Sequence, residues 1–121
     1  MKYRESEEMY LETILLLKKQ KSSVHAIDIA GELGFSKPSV SRAVGLLEKK
    51  EYITRNASGE IELTKTGSQK ATEIYERHRV ITQLLIITGA DKELAEENAC
   101  RIEHVISEEL FEVLKKYVKE N

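Results

Sequence analysis

The chain has 121 residues, 40% hydrophobic and 33% charged, enough apolar content for one compact unit or two very small ones sharing a core. Nineteen basic against 21 acidic residues give a net charge of −2, which excludes a histone-like polycation and, counted globally, argues weakly against nucleic acid. No run approaches the roughly 18 apolar residues of a membrane span, the start MKYRESEEMY carries no apolar signal segment, and the lone cysteine, Cys100, excludes an internal disulfide framework, so the expected location is the cytoplasm, away from any membrane.

Residues 7–20 place Tyr10, Leu11, Ile14, Leu15 and Leu17 at helical spacing, with Ser6 as N-cap and lysines at the end. A short helix follows from Ala26 to Leu33, stopped by Gly34. Ser36 can cap a third helix to about Lys50, with Pro38 tolerated in its first turn. Tyr52–Arg55 and Glu60–Thr64 read as two short strands around the turn Asn56-Ala57-Ser58-Gly59, a β-hairpin. A long helix is predicted over 66–88 and ends at Gly89. Asp91 starts another to about Val105, and Ser107 caps a last one carrying Leu110, Phe111, Leu114 and Val118. Leu84-Leu85-Ile86-Ile87 is apolar all round, more than one small core can cover, and a homodimer is the cheapest cover for it. The expected fold is mainly α: an N-terminal winged helix-turn-helix with a β-hairpin wing over 1–65, then a helical domain over 66–121.

Two helices around a turn, then a hairpin, point to DNA reading. Ser36, Lys37, Pro38, Ser39, Ser41 and Arg42 crowd the start of the third helix, the part that enters a major groove. Small hydroxyl side chains permit close approach, and Lys37 and Arg42 supply charge, Arg42 with reach to a guanine edge. Lys49 adds charge further along, and Arg55, with Asn56, sits where a wing would touch the backbone. Residues 36–55 hold five basic against two acidic residues, +3, whereas residues 67–121 hold eight against eleven, −3. The global −2 therefore hides a basic face on an acidic body.

Cys100, Glu103 and His104 fall at i, i+3 and i+4, so on a helix all three share a side. Thiolate, carboxylate and imidazole suit a divalent transition metal. Met9 and Glu12 are also i, i+3, and His78 interrupts the apolar ladder of the long helix. Taken singly, each of these also fits an ordinary packing or solvated role. An enzyme with Cys100 as nucleophile and His104 as base lacks oxyanion donors nearby. There is no Gly-rich phosphate loop or nucleophile elbow, so the chain reads as a non-enzyme.

The stretches EMYLETI (8–14), IA-x-x-L-G-x-S-x-x-S-V-S (29–41), ELTKTG (62–67), RHR (77–79) and ACRIEHVIS (99–107) together resemble the DtxR/MntR family of metal-dependent transcriptional repressors, across nearly the whole chain. The resemblance implies a dimer, joined through the C-terminal helical domain, that binds palindromic operator DNA when Fe(II) or Mn(II) is bound. Met9, Cys100, Glu103 and His104 match the primary site of the iron-responsive branch. His78 matches a histidine used by both branches, and Glu12 matches a ligand of the manganese branch. Thr82 and Glu96 stand at ancillary positions of the iron branch, where Thr82 is a poor substitute. The set is a hybrid, and its softer Met9 and Cys100 lean it towards Fe(II), although Co, Ni or Zn can substitute in vitro. The chain ends at Asn121, so the SH3-like third domain of longer members is expected to be missing. Two alternatives stay open: a metal-independent winged-helix regulator, and a zinc-stabilised protein-interaction module that binds no DNA.

Overall fold

The computed structural model describes residues 6–121, so the first five positions of the expected first domain lie outside the described residues. Helix α1 (Glu7–Gln20) begins where Ser6 accepts the Met9 amide at 3.1 Å, with Glu7 and Glu8 in its first turn and Lys18 and Lys19 in its last, each sign at the favourable end of the helix dipole. Helix α2 (Ala26–Leu33) is only eight residues, too short to persist alone. It is held by the Asp28 carboxylate, which accepts the His25 amide at 2.8 Å, and by burial of Ile29. Gly34 ends it in the left-handed region at φ 73°, its amide returning to Ala30.

Helix α3 (Lys37–Lys49) starts from Ser36, whose hydroxyl oxygen accepts the Ser39 amide, and buries Val40, Val44 and Leu47. Strands β1 (Ile53–Arg55) and β2 (Ile61–Leu63) pair antiparallel, Ile53 opposite Leu63 and Arg55 opposite Ile61. Both are shorter than expected: the Tyr52 amide turns back to Leu47 O at 3.0 Å, and side chains claim the residues flanking β2. Asn56 Oδ1 accepts from the Ser58 amide and hydroxyl and from the Glu60 amide, drawing Glu60 into the turn. Thr64 donates its hydroxyl to Glu51 O at 2.7 Å and accepts the Gly67 amide at 3.0 Å, which makes it a cap for α4 (Lys65–Ile87). Gly67 is required by space: a Cβ there would stand 1.9 Å from Tyr52 O.

The described residues divide into two compact units, 6–72 and Glu73–Asn121, with the division inside α4. In the first, α1 packs on α2 and α3, and α3 on α2 and β1. Tyr10, Leu11, Ile14, Ile29, Val44, Leu47, Ile53 and Ile61 are shared in one core. The Ile61 amide donates to Val24 O at 2.8 Å and ties the hairpin to the segment before α2. This is a winged helix-turn-helix. Lys50 pairs with Glu7 at 2.5 Å and Lys18 with Glu62, contacts of small energetic weight at the surface.

The second unit holds the rest of α4 with α5 (Lys92–Ile102) and α6 (Glu108–Glu120), capped by Asp91 and Ser107. Ile74, Ile81, Ala95, Ala99, Phe111 and Val118 are buried, and Lys115 on α6 pairs with Glu76 on α4 at 3.1 Å. Helix α5 stops at Ile102, not near Val105. The amides of Val105 and Ile106 both return to Ile102 O, and Arg77 on α4 takes the carbonyl oxygens of Glu103 and Ile106. The stop is imposed from another helix and has no local glycine or proline to announce it. Among the described residues, no helix is long and apolar enough to cross a membrane.

Candidate metal centre and reading surface

Within the second unit, α4 carries His78 and α5 carries Cys100, while Glu103 follows directly as the helical C-cap of α5. Glu103 is 1% exposed, a burial that a carboxylate tolerates only with partners. Its Oε2 lies 2.9 Å from His78 Nδ1, and Cys100 Sγ lies 3.9 Å from the same nitrogen. Its Oε1 stands 3.2 Å from His104 Nε2 yet meets no aligned hydrogen-bond donor. His104 sits in the turn beyond α5, directly after the C-cap Glu103, whose own dihedrals are still helical.

Contact with Cys100, and then with Glu103, pushes the His78 imidazole up to about 10. Burial alone would raise Glu103, but His104 and His78 hold its carboxyl below the ordinary carboxylate value. A carboxylate between two imidazoles, with a thiol beside one of them, therefore holds a proton at Nδ1 that a cation can replace.

His78, Cys100 and Glu103 each offer a donor atom, and the three atoms lie within 4.8 Å of one another. Donors about 2.0–2.3 Å from one ion stand about 3–4 Å from each other, and the His78 Nδ1 separations from Glu103 Oε2 and Cys100 Sγ are 2.9 and 3.9 Å. The buried Glu103 Oε1, 3.2 Å from His104 Nε2 and without an aligned hydrogen bond among the described residues, is a further acceptor. These residues fit a divalent transition ion. Met9 and Glu12 belong to the other unit, where α1 buries them at 5% and 9% exposure. Thr82 Oγ1, one turn after His78, is buried without a hydrogen-bond partner among the described residues, and Glu96 is exposed.

On the first unit, Ser36, Lys37, Pro38, Ser41, Arg42 and Lys49 are exposed along the outer side of α3, and Ser39 is half-buried. The Ser36 hydroxyl is engaged at the helix start, where it donates to Ser39 Oγ at 3.0 Å. Arg55 departs from the picture of a free wing cation: its guanidinium contacts Glu48 Oε1 at 2.7 and 3.2 Å. That partner was not foreseen, although the seven-residue spacing across the start of the hairpin was available as a hint. Arg77 was also missed. The RHR stretch drew notice for its histidine, and nothing local shows that its first arginine reaches residues 26 to 31 positions away.

Comparison with known proteins also finds two parts, meeting between residues 59 and 64. Residues 2–59 match the family model of the iron dependent repressor N-terminal DNA binding domain, and residues 64–121 match that of the iron dependent repressor metal binding and dimerisation domain. The diphtheria toxin repressor of Corynebacterium diphtheriae is 34% identical over 114 residues, covering 93% of this chain and 50% of that protein. An uncharacterised HTH-type transcriptional regulator of Methanocaldococcus jannaschii is 30% identical over 117 residues, covering 95% and 94%. The solved structure of the manganese regulator SloR superposes with a TM-score of 0.85 at 26% identity, covering 98% of this chain and 55% of that one. The chain thus spans about half the length of the Corynebacterium and SloR proteins.

Proposed function

The chain belongs to the DtxR/MntR family of iron-dependent repressors, and on that premise we propose that it is a metal-sensing transcriptional repressor that binds operator DNA as a dimer. The observation that carries the reading is the buried Glu103 carboxylate, set between His78 and His104 with Cys100 alongside and one oxygen lacking an aligned donor. A structural ion pair has no use for a soft third donor at 3.9 Å and an acceptor without an aligned hydrogen bond; a metal centre uses both.

His78, Cys100, Glu103 and His104 of the second unit would hold the ion, and the resemblance adds Met9 and Glu12 of α1 as candidate ligands. When bound, the ion supplies positive charge and directed coordination to an acidic region. The residues of the chain do the rest. Glu103 gives up its imidazolium partner, and His78 releases the proton at Nδ1. α1 packs directly on α3, so an ion that took Met9 or Glu12 as a ligand would act on the helix that supports the reading helix. Lys37, Ser41, Arg42 and Lys49 meet the duplex, and the Arg55–Glu48 pair must open before Arg55 can reach a phosphate. Loading favours the arrangement in which two reading helices stand about 34 Å apart, one turn of a palindrome.

Dimerisation is supported by apolar surface left exposed on the second unit, including Ile86, Ile87, Val105, Leu110 and Val113. Donor softness favours Fe(II) over Mn(II) as the physiological metal, with Co(II) a usable probe. We assign the reading function to 1–65 and the sensing and dimerising function to 66–121, place the protein in the cytoplasm with its DNA, and assign it no catalytic role.

An electrophoretic shift on the chain's own promoter region tests this reading. Chelator should abolish the shift, and Fe(II), Mn(II) or Co(II) should restore it. A shift indifferent to chelator would instead support a metal-independent regulator, and no salt-dependent affinity for any duplex would support an interaction module.

A further inference from the structure

Successive residues of α4 grip one residue of the α5–α6 link by different handles. His78 meets the carboxylate of Glu103 at 2.9 Å, while Arg77 donates from Nη1 to the main-chain oxygen of the same Glu103 at 3.2 Å. The same Nη1 reaches Ile106 O at 3.3 Å, so one nitrogen spans the turn that follows α5. Nη2 is fixed by Glu108 Oε2 at 2.6 Å in the first turn of α6, and the guanidinium lies 5.5 Å from the centre of the Phe111 ring. Both anchors sit beyond the link, so the fork is braced on α6 while it holds the end of α5.

We propose that Arg77 is a positioning residue of the metal centre, which fixes the backbone of residues 103–106 so that the Glu103 carboxylate and the His104 imidazole are delivered to His78 and Cys100. Glu103 is the C-cap of α5, its amide still bonded to Ala99 O, and His104 lies in the turn beyond it, where the carbonyl oxygens no longer have a continuing helix to pair with. Carbonyl oxygens at such an end need donors, and Arg77 supplies them from the helix that carries the opposing ligand. Only a rigid planar fork with several N–H groups can hold two carbonyls and a carboxylate together; an ammonium has no fixed fork. Ligand-orienting groups of this kind govern affinity without touching the ion. The inference rests on the metal-binding reading above.

The test is Co(II) titration of the full chain, followed by visible absorption, on the wild type and on Arg77→Ala, Arg77→Lys and Glu108→Gln, with helix content and dimer mass measured alongside. Arg77→Ala should lose about 10- to 100-fold in Co(II) affinity, the usual span for an orienting group. Its thiolate-to-cobalt band should persist while the ligand-field bands change, since Cys100 stays on its helix and Glu103 and His104 are released. Arg77→Lys should recover part of the loss. Should Arg77→Ala fail to fold, Glu108→Gln decides: it leaves the arginine in place, removes its 2.6 Å brace, and should weaken Co(II) several-fold with the same spectral change. Wild-type affinity and an unchanged ligand-field spectrum in Arg77→Ala, or in Glu108→Gln if the former does not fold, would overturn the proposal. Absence of saturable Co(II) binding by the wild type would overturn the metal-binding reading itself, and this proposal with it.

Discussion

His78 Nδ1 and Glu103 Oε2 stand 2.9 Å apart, an imidazole and a buried carboxylate joined across 25 residues of sequence. That pair sets the competition at the site. The contacts with Cys100 and Glu103 that push His78 up to about 10 mean that, near neutrality, the metal-free centre carries a proton where an ion would bind.

Metal affinity should therefore rise with pH. Below about 10, loading must expel at least one proton, so affinity should increase at least about tenfold per pH unit. Metal-free stability should run the other way. The folded value of His78 lies above its ordinary 6.5, so its contribution is fully present below 6.5 and is lost as pH climbs towards 10. Metal titrations and thermal melts across that window check both signs. A pH-independent affinity would mean that Nδ1 is not a ligand.

Glu103→Gln keeps the shape of the side chain and removes its charge. Loss of affinity should exceed about 100-fold, the upper end for groups that merely orient a ligand. Cys100→Asp should retain binding but change preference, exchanging a soft donor for a hard one. The ratio of Zn(II) to Mn(II) affinity should fall by at least about tenfold. An unchanged ratio would place the thiol outside the coordination shell.

On the reading surface, Lys37→Ala should weaken binding to all duplexes alike and reduce the slope of log affinity against log salt by about 1. Arg42→Ala should instead cost about 1–3 kcal/mol at one base position and relax specificity there. Affinities measured over a salt series on operator and scrambled duplexes separate the two effects.

Gly67→Ala should destabilise the chain by about 1–3 kcal/mol, since the added methyl meets the Tyr52 carbonyl and cannot be relieved by a side-chain rotation. Denaturant midpoints give the measurement. An unaltered midpoint would show that α4 can withdraw from the base of the hairpin at no cost.

Most of the fold was legible because its punctuation is local. Ser6, Ser36, Asp91 and Ser107 cap the helices that follow them, and Gly34 ends α2 by its own left-handed conformation. The end of α5 was illegible because Arg77, on another helix, decides it. The strand lengths were overestimated for a related reason: Asn56 and Thr64 spend their side chains on the backbone of Glu60 and Glu51, and propensity does not record such bonds. At the site, His78, Cys100 and Glu103 were all candidates from the sequence, and the structure adds that their donor atoms lie within 4.8 Å of one another, across α4 and the end of α5. His104 follows Glu103 in the turn after α5, with its Nε2 3.2 Å from the Glu103 carboxylate. The partition of charge was visible in the sequence, but the pairing of Arg55 with Glu48 was not, because it forms only when the hairpin folds back beside the end of α3.

The central claim is that the metal centre and the reading helix are coupled, and coupling is reciprocal. The most direct measurement is calorimetric titration of Co(II) into the free chain and into the chain mixed with a duplex of its own promoter. The coupled account predicts tighter Co(II) binding in the presence of the duplex, by the same factor as Co(II) tightens the duplex, on the order of 5- to 150-fold for ordinary allosteric coupling. Equal Co(II) affinity with and without the duplex would contradict it.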